Sequence, residues 1–138
     1  MNQWLLVGLV VLLTGCEKPS SEGVADVSDS TSTVELILPA DASAMLKANA
    51  EVRVLDIRTP EEFSEGHIEG AINVDFKSEG FDAEITKLDK ATPYIVHCAS
   101  GGRSGKSLSK FESMDFQKIY HLEAGFSGWA AEDLPVSQ

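Results

Sequence analysis

Apolar positions along the chain fall into short blocks that alternate between two periods. Val34-Glu35-Leu36-Ile37-Leu38 begins by alternating apolar with polar and predicts a short strand. Val52-Arg53-Val54-Leu55-Asp56-Ile57 is β-branched and apolar enough to be a buried strand. Ala71-Ile72-Asn73-Val74, Tyr94-Ile95-Val96-His97 and Lys118-Ile119-Tyr120-His121-Leu122 predict three more. Between these blocks the period lengthens. Phe81, Ile85 and Leu88 share one helical face, and Leu108 and Phe111 mark the inward side of a helix over 104–113. Asp41 is the expected N-cap of a helix over 42–48. Thr59-Pro60-Glu61-Glu62 reads as a capping box with proline in the first turn, opening a short helix that stops at Gly66. A last helix over 125–132 carries Phe126 and Trp129 as core residues. Strands alternating with helices predict an α/β fold with a mostly parallel central sheet.

Two stretches ahead of residue 34 fit neither period. Residues 4–13 are wholly apolar and without charge, about ten residues where a membrane-spanning helix needs about 20. That length matches the apolar region of a secretory signal peptide, although the residues before it include no lysine or arginine. Leu13-Thr14-Gly15-Cys16 resembles the lipobox of bacterial lipoproteins. The resemblance implies that residues 1–15 are removed and that Cys16 carries the lipid. Multiple acyl chains anchor stably where one does not. Glu17, rather than aspartate, follows the cysteine, which by the same resemblance points to the periplasmic face of the outer membrane. Residues 16–33 are rich in Ser, Thr, Asp, Glu and Gly and are expected to form a flexible tether. The folded domain is then expected over 34–138.

Charge narrows the functions. The formal net charge of -11 repels nucleic acid, so no nucleic-acid partner is expected, and it favours a monomer. The two cysteines, Cys16 and Cys98, each sit in a separate motif, which argues against a disulfide between them.

Cys98 carries the candidate chemistry. It closes a buried strand and opens Cys98-Ala99-Ser100-Gly101-Gly102-Arg103, just before a helix. Parallel α/β folds place ligand sites at the carboxyl ends of their strands. Glycines let backbone N–H groups approach an anion, and the following helix start adds partial positive charge. A thiol in that setting ionises at roughly pH 3.5–7.5. Arg103 contributes a permanent charge with forked donors. Cys98 is therefore expected to be a thiolate facing a pocket for a small anion.

Three motifs carry a family resemblance. Leu55-Asp56-Ile57-Arg58-Thr59-Pro60-Glu61-Glu62-Phe63, followed by Gly66-His67-Ile68-Glu69-Gly70-Ala71-Ile72-Asn73, resembles the first signature of rhodanese-like domains. Cys98 to Ser104 resembles their active-site loop. Leu122-Glu123-Ala124-Gly125-Phe126-Ser127-Gly128-Trp129, with Leu134-Pro135-Val136 beyond, resembles their C-terminal signature, although Ala124 stands where glycine is common. The resemblance implies a central sheet with helices on both faces. It implies that Cys98 takes a sulfane sulfur from thiosulfate or a similar anionic donor as a persulfide. A thiol or cyanide acceptor then removes it. Backbone amides of Ala99, Ser100, Gly101, Gly102, Arg103 and Ser104 would bind the persulfide, and Arg103 the donor's oxyanion. No cofactor is needed, and no Cys/His spacing suggests a metal site. The alternative is a non-catalytic persulfide carrier or interaction module. A cysteine phosphatase or arsenate reductase is disfavoured because related phosphatases carry Cys-x5-Arg, whereas the loop here is Cys-x4-Arg.

Further residues are expected to be supports. Arg58 should pair a helix carboxylate such as Glu62, and Asp56 should bond loop backbone. His67 reads as structural, His97 and His121 lie at strand ends, and Ser104 is expected to cap the helix after the loop.

Overall fold

The structure, a computed structural model, describes residues 33–138. The expected leader over 1–15, Cys16 and the expected tether as far as residue 32 lie outside the described residues.

Five strands form one sheet: β1 (Val34–Leu36), β2 (Arg53–Asp56), β4 (Ile72–Asn73), β5 (Tyr94–His97) and β6 (Ile119–His121). Their order is β1-β6-β5-β2-β4, and every neighbouring pair is parallel. β3 (His67–Ile68) pairs antiparallel with β7 (Val136–Ser137) in a separate two-stranded sheet. Sequence patterning missed both, because each holds a single apolar residue outside any apolar run of the kind that marks β4.

The helices cover both faces, as expected. Val54 and Ile95 point to one side, where α1 (Pro39–Ala48) and α5 (Gly125–Ala131) supply Ala42 and Trp129. Leu55 and Val96 point to the other, where α3 (Phe81–Thr86) and α4 (Gly102–Ser113) supply Phe81, Ile85 and Phe111. Burial on both faces is why these strands read as near-continuous apolar runs. Each fully buried large side chain contributes about 1.5–3 kcal/mol.

α2 (Pro60–Glu65) starts as predicted. The Thr59 hydroxyl accepts from the Glu62 N–H at 3.3 Å, and the Glu62 carboxylate accepts from the Thr59 N–H at 3.0 Å. α1 departs from expectation: Leu38, not Asp41, is its N-cap, because Pro39 presets the first helical φ and leaves Asp41 in the first turn.

The chain order reverses between β2 and β5. It leaves β2 toward β4 on one side and, from β5, continues to β6 on the other. Ligand crevices in parallel sheets open beyond the carboxyl ends at such a switch point. Asp56 and Cys98 lie there, the first ending β2 and the second following β5.

Candidate active site

The turn after β5 is built around one left-handed residue. Gly101 has φ 88°, and a Cβ on it would lie 2.3 Å from the Glu123 carbonyl oxygen, so only glycine fits. It is the N-cap of α4, which therefore begins at Gly102 and not at residue 104. Ser104 is then in the first turn and is not the cap. The correction matters for chemistry. The N–H groups of a first helical turn have no partner inside the helix.

Those groups converge on the sulfur. The Gly101 N–H donates to Cys98 Sγ at 3.1 Å, and the Ser104 hydroxyl lies 3.4 Å from it. Burial pushes the Cys98 thiol up, since the residue is 1% exposed. The Ser104 hydroxyl and the backbone N–H groups of Ser104, Ser100 and Arg103 outweigh that and hold the thiol below its ordinary range.

The loop's carbonyls turn the other way, toward α5. The Phe126 N–H donates to the Cys98 carbonyl at 2.8 Å, and the Ser127 N–H to that of Ala99 at 2.9 Å. Gly125 (φ 61°) packs so closely that a Cβ would lie 2.4 Å from the Ala99 oxygen and 2.7 Å from the Ser100 nitrogen. Ala124 sits in an ordinary right-handed conformation, so glycine is not required there. Its methyl occupies the space a Gly128 side chain would need.

Arg103 offers its backbone N–H to the sulfur, but its fork faces elsewhere. Nη1 and Nη2 each donate to Glu62 at 2.7 Å, a bidentate pair. The guanidinium holds the Glu62 carboxyl at about 2 against an ordinary 4.5, with burial opposing and Thr59 assisting. Glu62 thus closes the capping box of α2 and holds the active loop. The capping motif shows only the first role in sequence.

Arg58 does not pair Glu62. It is bound to Asp56, whose carboxylate accepts Nε at 3.0 Å and Nη2 at 2.7 Å, and Nη2 also donates to the Gly66 carbonyl at 2.7 Å. Two residues along an extended chain bring these side chains together more directly than α2 can. Asp56 also accepts the Arg58 backbone N–H at 2.9 Å. The pair is buried and makes no contact with the sulfur. The Arg58 guanidinium lies 4.0 Å from the Phe126 ring, so it braces α5 beneath the loop. His97 completes this layer: Nδ1 donates to the Cys98 carbonyl at 2.9 Å, and Nε2 lies 3.7 Å from Asp56. Facing a carbonyl assigns the proton to Nδ1. Burial holds His97 below its ordinary pKa, against the pull of Asp56. His67 stacks on Phe63 and bonds its carbonyl oxygen at 3.0 Å.

One contact had no signal in the sequence. His121, 4% exposed at the end of β6, places Nε2 2.9 Å from the Ser104 hydroxyl. No motif spacing links residues 104 and 121. The topology does, by setting β6 beside β5.

Comparison with known proteins agrees with this fold. The chain matches the family described as "Rhodanese-like domain" over residues 38–132. It is 38% identical over 94 residues to thiosulfate sulfurtransferase 16, chloroplastic, of Arabidopsis thaliana, covering 61% of this chain and 78% of that protein. It is 27% identical over 139 residues to arsenate reductase 2.1 of Oryza sativa subsp. japonica, covering 91% and 86%. The crystal structure of a rhodanese-related protein from Thermoplasma volcanium superposes with a TM-score of 0.67 at 29% identity, covering 75% of this chain and 97% of that one. With the fold, the three motifs and these matches in accord, the chain belongs to the rhodanese-like domain family.

Proposed function

We propose that the protein is a sulfurtransferase that carries a sulfane sulfur on Cys98. The observation carrying this reading is the convergence of the Gly101 N–H and the Ser104 hydroxyl on one sulfur at the start of α4. The Cys98 thiolate attacks the outer sulfur of thiosulfate. A sulfur–sulfur bond forms to Cys98, and the bond to the sulfonate sulfur breaks, releasing sulfite with the electron pair. The terminal sulfur of the persulfide then passes to cyanide, giving thiocyanate, or to a thiol, and the Cys98 thiolate returns. The inward amides stabilise the anion in both states. With Cys98 only 1% exposed, the site suits a donor whose reacting sulfur protrudes as a single atom. The same amides suit thiosulfate and a low-molecular-weight persulfide alike.

The full chain incubated with thiosulfate should gain the mass of one sulfur on Cys98, and added cyanide should remove it as thiocyanate. No mass gain would overturn the reading. A mass gain that cyanide and thiols leave in place would favour a carrier module instead. Arsenate reduction by the same preparation, at a rate matching sulfur transfer, would favour the activity named for the rice relative.

We also infer that the domain is held in the bacterial envelope, at the periplasmic face of the outer membrane, by a lipid on Cys16. Labelled palmitate should enter the chain and be lost in Cys16→Ser, with the protein released from the membrane fraction. A variant that stays bound would overturn this.

A further inference from the structure

Ser104 has one hydroxyl proton and three neighbours competing for it. Cys98 Sγ lies at 3.4 Å, the Gly101 carbonyl at 3.2 Å and His121 Nε2 at 2.9 Å. Cys98, Ser104 and His121 are 1%, 0% and 4% exposed, so bulk water does not intervene. The shortest contact is to the imidazole. A hydroxyl that donates to Nε2 leaves its oxygen lone pairs facing the sulfur, where a thiol proton can bond to them.

We propose that His121 is a positioning residue that takes the Cys98 proton through the Ser104 hydroxyl. In the thiol state, S–H donates to Oγ and O–H donates to Nε2. On ionisation both protons move one place. The S–H bond breaks, the sulfur's proton becomes the serine hydroxyl proton, and the former hydroxyl proton forms the Nε2–H bond. The products are a thiolate accepting from Ser104 and an imidazolium donating to Ser104. The same two contacts serve both states with reversed polarity, and no electron is gained or lost. The inference rests on the sulfur-transfer reading only in taking Cys98 as the reacting atom.

Burial holds the imidazole of His121 below its ordinary range, and Glu123 opposes this. These surroundings keep the ring neutral near pH 7, so Nε2 is open to accept. Burial also makes it a weaker base and leaves the imidazolium to be held by the thiolate that forms beside it. The groups facing it are Ser104 and Gly105 of α4, the latter with Cβ space 3.9 Å from Cε1, and Glu123 just beyond β6. Glu123 and, through Ser104, Cys98 are the charged groups that bear on it.

The test is the pH dependence of Cys98 alkylation by iodoacetamide, followed on the full chain by mass spectrometry. His121→Gln keeps a donor to Ser104 and a similar volume but cannot take the proton. It should raise the midpoint by about one unit, which lowers the rate by about tenfold at pH values below the wild-type midpoint. Ser104→Ala should lower the rate at least as far. Within the Ser104→Ala background, His121→Gln should change nothing more, because the imidazole acts only through the hydroxyl. A His121→Gln profile matching wild type would overturn the relay, as would effects that multiply in the double variant. Should His121→Gln fail to fold, the titration of His121 by NMR decides. Its midpoint should fall in Cys98→Ala, where the negative partner is gone, and an unchanged midpoint would overturn the proposal. A relay that passes these tests in a protein that thiosulfate does not sulfurate would leave the inference standing and the sulfur-transfer reading refuted.

Discussion

Two buried polar clusters lie side by side at the carboxyl ends of β2 and β5. In the first, the Asp56 carboxylate takes both forks of Arg58 and a backbone N–H, and Arg58 spends its remaining reach on the Gly66 carbonyl. Its charges are matched within the cluster. In the second, donors from the Gly101 amide and the Ser104 hydroxyl crowd one sulfur atom that carries no matching positive side chain in contact. The first cluster pairs its charges and holds shape, leaving only the buried His97 Nε2 without a hydrogen-bond partner among the described residues; the second is arranged around an atom left able to react. Cys98 joins them, because its carbonyl accepts from His97 of the first layer and from Phe126 of α5, while its sulfur belongs to the second.

Cys98→Ser should separate the two most sharply. Oxygen cannot carry the transferred sulfur, so thiocyanate production should fall at least 10³-fold, about 4 kcal/mol on the reaction barrier. Serine keeps the size and the hydrogen bonds, so urea unfolding should change by less than about 1 kcal/mol. Asp56→Ala is the converse. It leaves the Arg58 guanidinium buried without its carboxylate, which costs about 3–5 kcal/mol of stability. Against a typical total of about 5–15 kcal/mol that is a large share. Molecules that remain folded should keep the alkylation rate of Cys98 within about threefold, since a factor of three is under 1 kcal/mol and Asp56 makes no contact with the sulfur. A tenfold slowing in fully folded Asp56→Ala would mean that the charge-paired cluster reaches into the chemistry.

Gly125→Ala tests the seam between the clusters. Alanine must hold φ 61° and set a methyl against the Ala99–Ser100 peptide, so the loop has to move off α5. The expected cost is about 2–3 kcal/mol of stability, from strain and overpacking together. The persulfide yield should fall with it. Normal yield in a destabilised Gly125→Ala protein would show that α5 supports the fold and not the sulfur.

What the sequence reveals divides along the same line. The parallel sheet was legible because both faces are covered, so its strands print apolar runs. The sulfur loop was legible because Cys98, Gly101 and Arg103 are local in the chain. The capping box at Thr59 and Glu62 was legible for the same reason. Partnerships between distant elements were not. The sequence pairs Arg58 with a helix carboxylate such as Glu62, and only the extended backbone at the end of β2 gives it to Asp56 instead. Glu62 and Arg103 are 41 positions apart, and Ser104 and His121 are 17 apart, so neither pair has a period to betray it. β3 and β7 went unseen because each offers a single apolar residue, whereas the equally short β4 sits in the run Ala71-Ile72-Asn73-Val74.

The smallest expected effect concerns the pair that bridges α2 and the loop. Arg103 holds the Glu62 carboxyl at about 2 instead of 4.5. A carboxyl lowered on folding adds stability that is fully present above its unfolded value and is lost as pH falls toward its folded one. The window is therefore pH 4.5 down to about 2. Because Glu62 is 34% exposed, solvent screening reduces its share to about 1 kcal/mol. Wild type should lose about that much more stability across the window than Glu62→Gln, measured by urea unfolding at each pH. At neutral pH the same variant keeps one acceptor for Arg103 but removes the carboxylate charge and the second acceptor, freeing one Nη group beside the loop. If that group also serves the donor's oxyanion, KM for thiosulfate should drop roughly two- to fivefold, the factor that about 0.5–1 kcal/mol supplies. Alkylation by uncharged iodoacetamide should change by less than about threefold, because Arg103 touches the sulfur through its backbone N–H and its guanidinium acts on the thiolate only through charge. A KM that does not move would assign the guanidinium to the charge-paired kind of cluster, which holds shape, and would leave recognition of the donor to the amides alone.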